Sequence, residues 1–250
     1  MKEHHAWARQ RELKKRFSLT DIPALHEMAH LIGQIQYGNV DPDFQTNRAR
    51  ALFAIYYLTA CRASEITKVK TLRKRKLQRE TIIDKDGARK IIYNTDNKGI
   101  PKVTEWKEDH QYIGLTKSNI KTAVYNSQEY LEIRTENRKN KARKTKLLPI
   151  PISLEKDISK YIMDYIDKLE NDEPLFDFCP RRAAQIINET TGFNLHFIRH
   201  IRATHLITLY DFNEQMLVKF MGWTDSRPAK SYMELSSATL AREFYKGTKT

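Results

Sequence analysis

Toward the end of this 250-residue chain, His196 and Arg199 stand three residues apart, Trp223 follows a glycine, and Tyr232 comes nine residues after the tryptophan. Each residue type has a use at a phosphodiester. An arginine grips phosphate oxygens with a rigid fork of N–H donors. A histidine accepts or shares a proton. A phenol made to give up its proton is a nucleophile, and at an ordinary pKa near ~10 it needs such help. His196 and Arg199 at a spacing of three share one helix face, so both can address one phosphate. Taken singly none of them stands out, since Tyr232 is one of 12 tyrosines and a lone arginine is more often a surface ion pair.

The composition agrees with an anionic partner. Lys plus Arg number 44 against 31 acidic residues, a net charge of +13 with a pI near 9.6. Neutralised phosphates release counterions, which gives a basic protein affinity for nucleic acid of any sequence. A hydrophobic share of 40% and a charged share of 30% describe a globular domain with a core rather than a disordered chain. No apolar run approaches the ~20 residues of a membrane helix, and MKEHHAWARQ has no signal-peptide core, so neither a membrane role nor export is expected. Two cysteines, Cys61 and Cys179, make no disulfide framework, which points to the cytoplasm.

The elements that would position the site are mostly helices. Residues 1–18 read as a charged helix, and Ile22, Leu25, Met28, Ile32 and Ile35 follow a helical period ended by GNVDPD. From Phe44 a third helix through Leu52, Phe53, Ile55, Tyr56 and Leu58 is apolar enough to be central. Residues 68–148 change character: a basic run, two β-prone arms around Asp86-Gly87, then the strand-like QYIGLTKS, TAVYN, YLEIRTE and TKLLPIPI, the last two joined by the very basic NRKNKARK. Helices resume with SLEKDISKYIMDYIDKL, where Ser153 is the expected cap and Leu154, Ile158, Ile162, Tyr165 and Leu169 the buried face. Further helices are expected at PRRAAQIINETTG, HFIRHIRATHLITLY, FNEQMLVKFMG and LSSATLAREFYK. The sum is a mainly α protein with a small antiparallel β-sheet.

Three boxes carry a resemblance to a known family. HFIRHIRATHL at 196–206 resembles the H-x-L-R-H-x-x-A-T-H-L box of the tyrosine recombinases, or phage integrases, with His196, Arg199, His200, Ala203, Thr204, His205 and Leu206 in place. GWTDSRPAKSY at 222–232 resembles the family's Gly-His/Trp box, and TACRASEI at 59–66 its first box, which supplies Arg62 and Glu65. The resemblance implies the DNA breaking-rejoining catalytic fold and a site-specific recombinase or integrase, of the kind carried by mobile genetic elements. It implies double-stranded DNA as partner, a tetramer on that DNA, and no metal or other cofactor. Arg62 and Arg199 would neutralise the phosphate, Trp223 would donate its indole N–H, and Tyr232 would form a 3′-phosphotyrosine with His196 taking its proton. Glu65 would orient a basic side chain, with His200 a supporting neighbour. The family's hairpin lysine, counted back from Pro149, falls at Lys141 with Lys139 second, and Lys144 and Lys146 lie within a slip of that register. Residues 1–43 would form a helical extension and residues 44–250 the catalytic domain, with an insertion around 70–125. Only about 60 residues precede Arg62, so the DNA clamp of the family is expected to be reduced, supplied by the insertion, or absent from this sequence. Cys61 stands where the family has glycine, which bears on the turn before Arg62.

Three rival readings remain in view. HEMAHLIG at 26–33 satisfies the His-Glu-x-x-His pattern of zinc proteases, but the position of a third ligand is Gln36, and Met28, Ile32 and Ile35 mark the segment as helix packing. A type IB topoisomerase uses similar Arg, Lys, His and Tyr chemistry. A non-catalytic DNA-binding accessory protein would need only the charge and the helices.

Overall fold

The computed structural model describes residues 22–69, 74–77, 79–83, 87–107, 113–136, 145–170 and 173–235. The expected helices at 1–18 and after residue 235, and the lysines Lys139 and Lys141, lie outside the described residues. The protein is mainly helical with small antiparallel sheets. It divides into two compact units, residues 69–113 and the remainder.

The main unit is organised around one helix. α1 (Leu25–Gln34) starts where the Ala24 N–H donates to Glu27 Oε2 at 2.6 Å, and it buries Met28 and Ile32. α2 (Pro42–Thr59) starts at Asp41, whose Oδ1 accepts the Phe44 N–H at 3.1 Å, with Pro42 in the first turn where no amide partner is needed. Every residue from Ala51 to Cys61 is buried. A helix apolar on all sides belongs inside a protein, and α2 is covered by α1, α4 (Lys156–Ile166), α5 (Pro180–Thr191) and α6 (Leu195–Thr208). It ends at Ala60, which takes the left-handed conformation (φ 47°) and returns its N–H to Tyr56 O. The one-turn α3 (Ala63–Ile66) follows.

Strands β5 (Ile120–Tyr125), β6 (Gln128–Glu136) and β7 (Thr145–Pro151) form an antiparallel sheet in that order. Asn126 and Ser127, both with positive φ, make the two-residue turn whose twist suits a hairpin. Successive side chains on a strand face opposite sides. Leu131, Ile133 and Thr135 of β6 accordingly point inward, as do Leu148 and Ile150 of β7. The described part of QYIGLTKS, residues 113–118, is not a strand: Thr116 makes a single bridge to Pro174, and Lys117–Asn119 is a 3₁₀ turn. The chain enters this region through Gly114 (φ +92°), where a β-carbon would fall 2.7 Å from Ile66 O.

α4 begins later than its sequence suggests. Glu155, not Ser153, occupies the cap position, and Leu154 is exposed while Ile158, Ile162, Tyr165 and Leu169 are buried. The reason is the partner across the core. The Glu155 carboxylate pairs with Arg202 of α6, both inside the protein, and accepts the O–H of the half-buried Tyr210 at 2.6 Å. Burial disfavours the Arg202 charge, yet Glu155 together with Tyr57 and Tyr210 outweighs it and holds the guanidinium above its ordinary pKa. Beside this pair the Tyr57 hydroxyl and His205 Nδ1 are 2.6 Å apart. α6 starts at Asn194, whose Oδ1 accepts the Phe197 N–H at 2.8 Å. α7 (Glu214–Met221) starts at Asn213 and stops at Gly222 (φ 65°), and α8 (Arg227–Leu235) closes the described chain.

Residues 69–113 carry β1 (Lys74–Leu77) paired with β4 (Val103–Lys107), and β2 (Arg79–Ile83) paired with β3 (Arg89–Tyr93). Each pair is antiparallel, and the second is the hairpin around Gly87. Ile82 and Ile83 of β2, and Ile91, Ile92 and Tyr93 of β3, are exposed.

Candidate active site

Five segments of the main unit come together at one site. The first is the turn after α2. Because the left-handed residue there is Ala60, Cys61 takes an ordinary conformation, so the expected effect of losing a glycine does not arise. Arg62 caps α3, and Glu65 holds it twice: Oε2 accepts the Arg62 N–H at 3.1 Å and Oε1 faces Arg62 Nη1 at 3.0 Å. Glu65 is buried, whereas the Arg62 side chain retains 30% exposure, so the guanidinium is anchored from behind and open in front.

Arg199 comes from α6. Its Nη1 donates to Ala60 O and its Nη2 donates to Met221 O at 2.7 Å. These two carbonyls belong to the ends of α2 and α7, so the guanidinium plane is fixed by backbone rather than by mobile side chains. Burial, and then the neighbouring Arg62 charge, lower the Arg199 pKa from its ordinary value. An anion between the two arginines would offset their mutual repulsion and favour both charges, which is how a preorganised phosphate site works.

Trp223 follows α7 and lies under Arg199, with Cζ 6.0 Å from the ring centroid. Its other neighbour is Tyr232, stacked at 5.8 Å with 16° between the planes. Tyr232 sits within α8, although nothing helical was expected there. Burial pushes its pKa above 10, against a downward pull from Arg199. The Tyr232 hydroxyl is hydrogen-bonded to His200 Nδ1, the histidine one residue after Arg199 and one turn from His196. His196 is exposed, and its ring stands edge-on to His200 with centroids 4.4 Å apart.

Lys146 is the residue that sequence reasoning underweighted. It lies in β7 opposite Thr135, and strand alternation puts it on the inward side with Leu148 and Ile150 while Leu147 faces out. Its Nζ is buried, has no hydrogen-bond partner among the described residues, and is 5.4 Å from the Phe220 ring centroid. Burial lowers its pKa first. Cys61 and Glu65 then pull it up, and Arg199 and Arg62 push it down, which locates the amine within electrostatic reach of both arginines. The signal was in the sequence: Lys146 is in phase with Leu148 and Ile150 in the alternation of TKLLPIP.

Outside this pocket, His26 and His30 are on the exposed side of α1, where His30 Nε2 is 2.9 Å from Gln34 Nε2. Among the described residues no group of three or more His, Cys, Asp or Glu could hold a metal ion. No helix among them is long and apolar enough to cross a membrane.

No family model matches the chain, and no curated protein matches it. Two solved structures of the XerH site-specific recombinase align with it. The post-cleavage complex with a palindromic difH substrate aligns at a TM-score of 0.47 and 13% identity, over 88% of this chain and 50% of that one. The pre-cleavage complex with difH aligns at a TM-score of 0.42 and 14% identity, over 84% of this chain and 48% of that one. The chain therefore spans about half the length of the structures it matches.

Proposed function

We propose that this chain is a tyrosine site-specific recombinase, which cuts and rejoins double-stranded DNA through a phosphotyrosine at Tyr232. The observation that carries the reading is the gathering of Arg62, Lys146, Arg199, Trp223 and Tyr232, from five separated stretches of sequence, into one basic cluster.

In the proposed reaction Arg62 and Arg199 hold the non-bridging oxygens of the scissile phosphate, where charge grows in the transition state. The Trp223 indole N–H donates to the same oxygens while its ring keeps Tyr232 in place. The Tyr232 oxygen attacks phosphorus and the bond to the 5′-oxygen breaks. The products are a 3′-phosphotyrosine and, after protonation of the leaving oxygen, a free 5′-hydroxyl. Exchange of one phosphodiester for another is close to thermoneutral, so the reverse attack by a second strand rejoins DNA without ATP. Lys141, with Lys139 second, remains the proposed source of that proton, and Lys146 supplies a third positive charge to the phosphate. Two successive strand exchanges call for four protomers on DNA.

The test uses a pool of nicked duplexes with randomised cores, whose short 3′ fragment diffuses away after cleavage and traps the covalent product. In EDTA the wild type is expected to form an adduct resistant to denaturant, and Tyr232→Phe none. An adduct that survives in Tyr232→Phe overturns the assignment. Strand joining without relaxation of supercoiled plasmid separates a recombinase from a topoisomerase.

A further inference from the structure

We infer that His200, rather than His196, is the catalytic base that takes the proton of Tyr232, and that His196 carries this proton on to solvent. The inference rests on the proposed role of Tyr232 as nucleophile and assigns a residue to it. Three observations lead there. The Tyr232 hydroxyl is hydrogen-bonded to His200 Nδ1. Trp223 stacks on the phenol, and the His200 ring lies 5.3 Å from it centroid to centroid, tilted by 40°. His196, one helical turn before His200, meets it edge to face at 4.4 Å and is exposed, which makes it the next group outward.

The proton balance closes within the site. With the His200 ring proton on Nε2, Nδ1 accepts from the phenol. Attack on phosphorus transfers the hydroxyl proton to Nδ1 and leaves an imidazolium. That cation gives up a proton toward His196 and water, while the 5′-oxygen takes its own proton from the lysine side of the pocket. The half-buried phenol has need of such an acceptor, because burial opposes the phenolate, against a smaller pull in its favour from Arg199. Among the described residues, charged and titratable groups near His200 include Tyr232 from α8 and Arg199 and His196 from its own helix, with Arg62 beyond Arg199. A pH profile must be read against all of these.

The experiment measures single-turnover adduct formation by the full chain on the nicked duplex pool between pH 5.5 and 9, the range flanking ordinary histidine titration near ~6.5. His200→Asn places an amide atom where Nδ1 stands, so it can keep the hydrogen bond but cannot take a proton. The wild type is expected to speed up as a histidine deprotonates and then level off. His200→Asn is expected to lose that rise and about 10²- to 10⁴-fold in rate, the usual range for a proton-transfer group. His200→Ala is expected to be equally slow and partly restored by added imidazole, while His196→Gln keeps the rise. Thermal melts confirm that each variant folds, and imidazole rescue of His200→Ala remains informative if Asn does not fold. A wild-type rate and profile in His200→Asn, or loss of the rise in His196→Gln alone, overturns the inference and leaves the Tyr232 reading standing. No adduct in the wild type overturns that reading instead.

Discussion

Replacing Lys146 with Met should make the protein more stable and less active at once. The Lys146 ammonium is buried without a hydrogen-bond partner among the described residues, within reach of the two guanidiniums of Arg62 and Arg199. An unsatisfied buried polar group costs about 1–3 kcal/mol, more when charged. Methionine keeps the length and the apolar stem of the side chain and removes the charge. For a chain of this size about 1–3 kcal/mol corresponds to a melting temperature higher by roughly 3–9 °C. The pH dependence gives a second handle. The folded pKa of Lys146 is lowered, so the unfolded chain binds its proton more tightly. The penalty is therefore full below the folded pKa, shrinks as pH rises toward the ordinary 10.5, and is gone above it. Wild-type stability should rise with pH across that alkaline window, and Lys146→Met should flatten the rise. Adduct formation should fall by about 10²-fold, the usual loss when one preorganised charge-stabilising group is removed. Calorimetry at several pH values with the covalent trapping assay checks all three. A melting temperature equal to or below wild type would refute the reasoning, because it would mean the amine is satisfied where it lies.

The polar layer beneath the site offers further checks. Breaking the Glu155–Arg202 pair by Glu155→Gln should cost about 3–5 kcal/mol in urea unfolding, and Glu155→Met with Arg202→Met should recover most of it, since the loss comes from a stranded buried charge. His205 is pushed down to about 4 by burial first and Arg202 next, so the unfolded chain takes up a proton before the folded one does. Stability should therefore fall by about 3 kcal/mol as pH drops from about 6.5 to about 4, and His205→Asn should remove that slope while keeping an acceptor for Tyr57. Gly114→Ala should lose about 1–2 kcal/mol or more in the same assay, because alanine resists a φ of +92° and its β-carbon would meet Ile66 O.

Much of the architecture was legible because local rules and burial agree. The run from Ala51 to Leu58 is apolar on all sides, and it is the central helix. Asn194, Asn213, Gly192 and Gly222 mark helix ends by ordinary cap and left-handed chemistry. Misreadings arose where a distant partner overrode the local signal. Ser153 looks like a cap, but the buried pairing of Glu155 with Arg202 fixes where α4 begins, and Leu154 is left exposed. No sequence pattern announces a pairing across 47 residues. In the candidate site, motif spacing picked out Arg62, Arg199, Trp223 and Tyr232. It gave the proton of Tyr232 to His196, whereas the hydrogen bond runs to His200, a matter of which helix face meets α8. It sought the lysine by counting from Pro149, when strand parity would have drawn attention to Lys146.

The central claim is that Tyr232 attacks a DNA phosphate, and the most direct measurement is the chemistry of the trapped product. Nuclease and protease digestion of the adduct, followed by mass spectrometry, identifies the residue that carries the nucleotide and the end to which it is joined. The account predicts a nucleotide joined through its 3′-phosphate to the oxygen of Tyr232, with a 5′-hydroxyl on the released strand. A nucleotide on any other residue, or a 5′-phosphate linkage at Tyr232, would contradict it.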